Sequence, residues 1–272
     1  MDDRRRFWGV TWYELKMRLR SAGYWIVVLL VNAFALFVAS PLNYSSPDDR
    51  WLFQSSWWIA GEAFPAATTL MNGLGVFLIA DRILRDQTLQ TDELLHAKGV
   101  FPKAYAMGKW AASFLSLCLA VCPLFVGAPL IQWYIGHTPI QPGPFLLAFA
   151  IVYLPSMLLI STLALMAATL AGDTRLFYVP YLVVWYLDSF QLWVPRPAIR
   201  QIVNFSGVTA TLRLFLGRVG SLAARGYPIV SSSDVVLNIG LLVLISGVLL
   251  YLLLRRETRV WMSADLPRQK PA

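Results

Sequence analysis

Six apolar runs, each long enough to cross a lipid bilayer, constrain this chain more than any other feature of its sequence. They occupy roughly residues 24–40, 59–80, 110–134, 145–171, 176–193 and 235–254. About 20 apolar residues rising 1.5 Å each traverse the ~30 Å hydrocarbon core. The composition agrees, since 57% hydrophobic against 14% charged residues is far from the balance of a soluble domain. In lipid every backbone N–H and C=O must find its partner within the protein, which leaves helices and closed barrels. These runs are continuous and lack the alternation of barrel strands. The expected fold class is all-α, a polytopic membrane protein whose six transmembrane helices form one domain over 1–272.

Lys and Arg beside the runs set the expected orientation. Arg4, Arg5, Arg6, Lys16, Arg18 and Arg20 precede the first run, and Arg82, Arg85, Lys98, Lys103 and Lys109 lie between the second and third. Arg175 follows the fourth run, and Arg255, Arg256, Arg259, Arg268 and Lys270 follow the sixth. These segments are assigned to the cytoplasm, with both termini inside. Arg50 and the five arginines between the fifth and sixth runs fall outside, in connections where the rule is weaker. Indole rings prefer the headgroup region, and Trp25, Trp51, Trp57, Trp58, Trp110, Trp133 and Trp193 stand at or near run ends, Trp185 being the exception. The first run is too long for a signal core and has no small-x-small cleavage site after it, so it is expected to remain attached.

Four segments lie outside the runs. In 1–23, Trp8, Trp12, Leu15 and Leu19 recur at i, i+4, i+7 and i+11, with Glu14, Lys16, Arg18 and Arg20 on the other side. That pattern predicts an amphipathic helix in the interface, its stripe in the acyl boundary and its cations among anionic headgroups. The charged island 81–109 begins with sixteen residues free of Gly and Pro, which are expected to prolong the second span as helix. Thr91 is placed to cap a short helix 92–98, with Asp92 and Glu93 in its first turn and Lys98 in its last. Gly99 suits its stop and Pro102 a turn or new start. Leu94 and Leu95, followed by His96, make it either a grip for a soluble partner or a solvated loop closing a hairpin. In 194–234, Leu212, Phe215, Leu216 and Val219 beside Arg213, Arg218 and Arg225 suggest amphipathic helices at the outer surface, broken at Pro195, Pro197, Gly226 and Pro228. The tail 255–272 is basic, with no order expected beyond Asp265.

Several chemistries are not expected. Cys118 and Cys122 are four apart in the third run, a spacing that suits core packing. His96 and His137 fall on opposite sides of the membrane, and Glu93 with His96 spells one Glu-x-x-His where a di-iron bundle needs two, so no metal site is expected. The net charge of +8 sits mostly beside spans, where topology and anionic lipid account for it without nucleic acid. No G-x-x-x-x-G-K-[ST] occurs, since Gly108-Lys109 is followed by Trp110 and residue 103 is Lys, so the chain has no P-loop of its own, and if ATP drives it a partner must supply the site.

The island resembles the cytoplasmic loop of ABC-2 type transporter permeases in Thr91, Glu93, Leu94, Leu95, Pro102, Lys103, Tyr105, Gly108 and Lys109, with Gln90 where that family often has Gly. Glu14, Leu15, Lys16, Arg18, Arg20 and Trp25 resemble the family's entry into its first span. The resemblance implies a permease subunit of a bacterial exporter in the cytoplasmic (inner) membrane, paired with a second permease as homo- or heterodimer. Separate P-loop ATP-binding subunits would bind ATP and Mg. It assigns Thr91, Asp92, Glu93, Leu94, Leu95, His96, Lys98 and Pro102 to an ATPase-coupling helix, and Trp8, Trp12, Leu15 and Leu19 to a connecting helix. It also implies that 194–234 dips back into the membrane.

Polar groups inside apolar runs are the first places to look for a path, because lipid disfavours them. Asn32, Glu62, Asn72 and Asp188 qualify, although Glu62 and Asp188 lie near outer ends. Transporters of the resembled family line their cleft with spans 2 and 5, which points to Met71, Asn72, Tyr181, Trp185 and Asp188. Ala164, Ala168 and Gly172 at four-residue spacing suit close helix packing. An integral-membrane enzyme or an ion-coupled carrier or channel is the alternative class, and the scattered ionisable residues offer little for either.

Overall fold

The computed structural model describes residues 3–40, 55–88, 102–137, 139–171 and 232–264. Among them the chain is helical and no strand occurs. The helices are α1 (Asp3–Leu19), α2 (Ala22–Val38), α3 (Ser56–Thr88), α4 (Pro102–Ala120), α5 (Leu124–Ile131), α6 (Pro142–Ala148), α7 (Leu154–Ala171) and α8 (Ser232–Ala264). π-helical turns at Gln132–Gly136 and Phe149–Tyr153 extend α5 and join α6 to α7.

Four stretches are long and apolar enough to cross a membrane: Ser56–Ile79, Lys103–Tyr134, Pro142–Met166 and Val235–Arg256. A fifth is the pair α1–α2, bent by 72° at its break. The protein is therefore a multi-pass membrane protein. The expected second, third, fourth and sixth runs coincide with the four stretches and the first with α2, while the fifth run lies outside the described residues.

The bend between α1 and α2 has a local cause. Ser21 is extended, at φ −80° and ψ 127°, which stops α1 and restarts the chain in a new direction. Two N–H groups close α1 behind it, Arg20 to the Lys16 carbonyl at 3.2 Å and Ser21 to the Arg18 carbonyl at 2.9 Å. Trp25 then donates its indole N–H to the Leu19 carbonyl at 2.7 Å, satisfying a group that a helix end leaves without an intrahelical partner.

Contacts between helices sort their ends. Arg18 reaches Leu78 in the second half of α3 and Ser113 of α4, one turn beyond Lys109. Trp110 Nε1 donates to Thr162 Oγ1 of α7 at 2.9 Å, and Arg256 Nη1 of α8 donates to the Thr169 carbonyl at 2.8 Å. At the opposite end Ser56, which opens α3, donates its hydroxyl to Gln132 Oε1 at 2.7 Å. So α1, the end of α3, the start of α4 and the ends of α7 and α8 share one end of the bundle. This is the grouping that the Lys and Arg pattern assigns to one side.

The core gathers around α3, whose Ile59, Ala60, Ala63, Phe64, Ala67 and Met71 have no exposed surface. The small residues among them let neighbouring backbones approach, the usual device where lipid leaves no hydrophobic drive between helices. Both α3 and α8 outrun their apolar stretches, to Thr88 and Ala264. The expected helical extension of the second span thus holds as far as Thr88, and residues 89–101 lie outside the described set.

Prolines mark the irregularities. Pro123 lies in the turn between α4 and α5, and Pro155 is the second residue after the π turn Phe149–Tyr153. Proline has no N–H for the fourth carbonyl back and its ring crowds that carbonyl, so a break or a widened turn relieves it.

Candidate functional site

The densest set of buried charge among the described residues lies where α1 crosses α4. Glu14, Arg18 and Lys109 are 8%, 3% and 5% exposed. Gly108 makes the crossing possible, because a Cβ there would stand 2.8 Å from Val10 Cβ and Cγ1 and 3.3 Å from the Phe7 carbonyl oxygen. Only a residue without a side chain lets the two helices meet this closely.

Arg18 is the pin of the crossing. Its Nη2 donates to Ser113 Oγ at 2.8 Å and its Nη1 makes a longer contact of 3.5 Å with the Leu78 carbonyl. Ser113 Oγ in turn donates to the Lys109 carbonyl at 2.8 Å. Lys109 directs its ammonium over the Tyr105 ring, 4.5 Å from the centroid, a cation–π contact. One guanidinium thereby joins α1 to both helices that bracket the charged island. Hydrogen bonds from a charged group are the stronger kind, and burial strengthens them further.

The inward face of α1 is Thr11, Glu14, Leu15 and Arg18, all buried. The expected acyl-facing stripe is divided. Trp8 and Trp12 are 55% and 67% exposed, whereas Leu15 is buried and Leu19 packs on the core. The cation Arg18, expected on the outward side, points in. Hydrophobic periodicity found a helix but not its packed face, since Gly108 and Ser113 on the neighbouring helix decide that.

Of the path candidates, Met71 and Asn72 lie on α3 and are 0% and 4% exposed. Tyr181, Trp185 and Asp188 lie outside the described residues. Glu62 is half-buried on α3. Asn32 is a strap: its Nδ2 donates to Val28 O at 2.6 Å and to Ala120 O at 2.7 Å. Of the coupling residues, Thr91, Asp92, Glu93, Leu94, Leu95, His96 and Lys98 lie outside the described residues, and Pro102 opens α4. Cys122 corrects the core-packing expectation, being exposed in the turn after α4, while Cys118 is half-buried. Ala164 is fully buried, as close packing of its helix requires. No group of three His, Cys, Asp or Glu that could hold a metal occurs among the described residues.

The sequence reading missed the α1–α4 crossing as a unit. Its signal was present in Gly108-Lys109 and in Arg18, which were read as separate motif positions. No family model matches the chain, and no curated protein matches it.

Proposed function

We propose that this protein is a permease subunit of an ATP-driven ABC-2 type exporter in a bacterial cytoplasmic membrane. In this reading both termini are cytoplasmic, a second permease completes the path, and separate P-loop subunits bind ATP and Mg. The observation that carries it is the Arg18 pin, which joins an N-terminal helix turned 72° from α2 to both helices flanking the island. A push on segment 81–109 from below then moves α1, α3 and α4 together, as a subunit driven by an external motor requires. The absence of a phosphate cradle in the sequence supports an ATPase on another chain.

Affinity purification from the native membrane tests this reading. A P-loop ATPase is expected to co-purify, with ATP hydrolysis responding to the permease. Replacing Leu94→Asp and Leu95→Asp together is expected to abolish that co-purification while leaving the protein in the membrane. Recovery of no ATPase, together with unchanged function in the double variant, rejects the reading.

A further inference from the structure

The stretch Lys103–Tyr134 consists of two unequal halves joined at residues 121–123. On the α4 side one face is strapped repeatedly. Arg18 holds Ser113 Oγ, Tyr24 donates its hydroxyl to the Ser116 carbonyl at 2.9 Å, and Tyr153 donates to the Leu117 carbonyl at 2.7 Å. Asn32 completes the set at the Ala120 carbonyl. On the α5 side Leu124 and Ala128 are buried and Gln132 accepts from Ser56, but Val126, Leu130, Trp133 and Tyr134 are exposed.

The joint itself is short of helical bonds. Pro123 brings no N–H for Leu119, whose carbonyl takes the Cys122 N–H at 3.2 Å instead. Leu124 donates its N–H to Val121 at 2.9 Å, a tightened turn, and the Ala120 carbonyl is held from outside by Asn32. The opposite atom of that amide, Asn32 Oδ1, is buried with no hydrogen-bond partner among the described residues. A buried oxygen without a partner costs free energy and calls for a reason. The adjoining helix is irregular at a similar depth, since Tyr153 closes the π turn ahead of Pro155.

We propose that residues 121–123 form a hinge between a fixed α4 and a movable α5, and that Asn32 is its latch. Latched, the amide occupies the Ala120 carbonyl and the joint keeps its tightened turn. Released, the Ala120 carbonyl takes the Leu124 N–H in an ordinary helical bond and the stretch straightens. Two discrete hydrogen-bond arrangements of the same atoms make a switch rather than a diffuse flexibility.

Hydrogen–deuterium exchange of the full chain in lipid nanodiscs, read on peptides covering 117–127, tests the hinge without any ATPase present. A failed hinge and a failed exporter reading are therefore separate results. Asn32→Leu frees the Ala120 carbonyl for the Leu124 N–H, and is expected to slow exchange in that window by roughly threefold to tenfold while α3 peptides keep the wild-type rate. Pro123→Ala, which restores an N–H for Leu119, is expected to slow it by a similar factor. Wild-type rates in both variants overturn the proposal, as does a rise for Asn32→Leu in that window, the signature of a plain folding contact. If Asn32→Leu does not assemble, Pro123→Ala decides alone, and absence of slowing rejects the hinge.

Discussion

α3 and α8 are both 33 residues long and both cross the membrane, yet they meet opposite surroundings. In the apolar window of α3, 67% of residues are buried within the protein, against 22% in α8. The buried residues of α3 include Ala60, Ala63, Ala67, Thr68 and Asn72, small or polar. The exposed residues of α8 include Val236, Leu237, Leu244 and Val248, bulky and apolar. In water that distribution would be inverted. In lipid it is expected, because acyl chains solvate leucine as well as a protein interior does, and small residues and hydrogen bonds hold helices together. The outward face of α8 is therefore bulky and apolar, while α3 buries small and polar residues alongside Ile59, Phe64 and Met71.

The contrast can be broken by substitutions ranked by expected effect on reversible unfolding in mixed micelles. Ala67→Phe on α3 inserts a ring where no surface is exposed. It is expected to destabilise by about 3 kcal/mol, the upper part of the range for overpacked cores. Gly108→Val meets Val10 and the Phe7 backbone at the α1–α4 crossing. It is expected to cost about 2 kcal/mol and to loosen α1, read as faster proteolysis of the N-terminal helix. Arg18→Ala removes the pin on Ser113. A loss of about 1.5–2 kcal/mol is expected, in the range for hydrogen bonds from charged groups. Gly127→Ala brings a Cβ to 2.8 Å from Leu36 Cδ1, the far end of a flexible side chain that can rotate away. Its effect is expected to stay below about 1 kcal/mol. Leu244→Ala on the exposed face of α8 is expected to change stability by no more than about 0.5 kcal/mol. A large effect there would mean that another protein surface, not lipid, covers α8.

The same contrast explains what the sequence disclosed. Span length is written in composition, so four expected runs reappear as crossing stretches and the first as α2. Which face of a helix packs is written in its neighbours. Trp8 and Trp12 are exposed on α1, but Leu15 of the same expected stripe turns to a packed side set by Gly108 and Ser113, residues nearly a hundred positions away. Asn32 was flagged as costly in lipid, and that was right as physics. Its partner, the Ala120 carbonyl, is available because the Leu124 N–H turns to Val121 in the break at 121–123, which the continuous apolar run 110–134 conceals. The candidate site divides likewise. Arg18 and Lys109 were visible as charges, but their burial against α3 and α4 follows from a crossing that no spacing rule encodes.

Pro65 is the single proline within α3, and from there to Thr88 the helix runs without a break. At 1.5 Å per residue that is a strut of about 36 Å. Tilting such a strut by about 5° carries its far tip sideways by about 3 Å, close to the radius of a helix backbone. Displacements at the two ends of the molecule are therefore geared to each other, and a small rotation at one end becomes an ångström-scale sweep at the other.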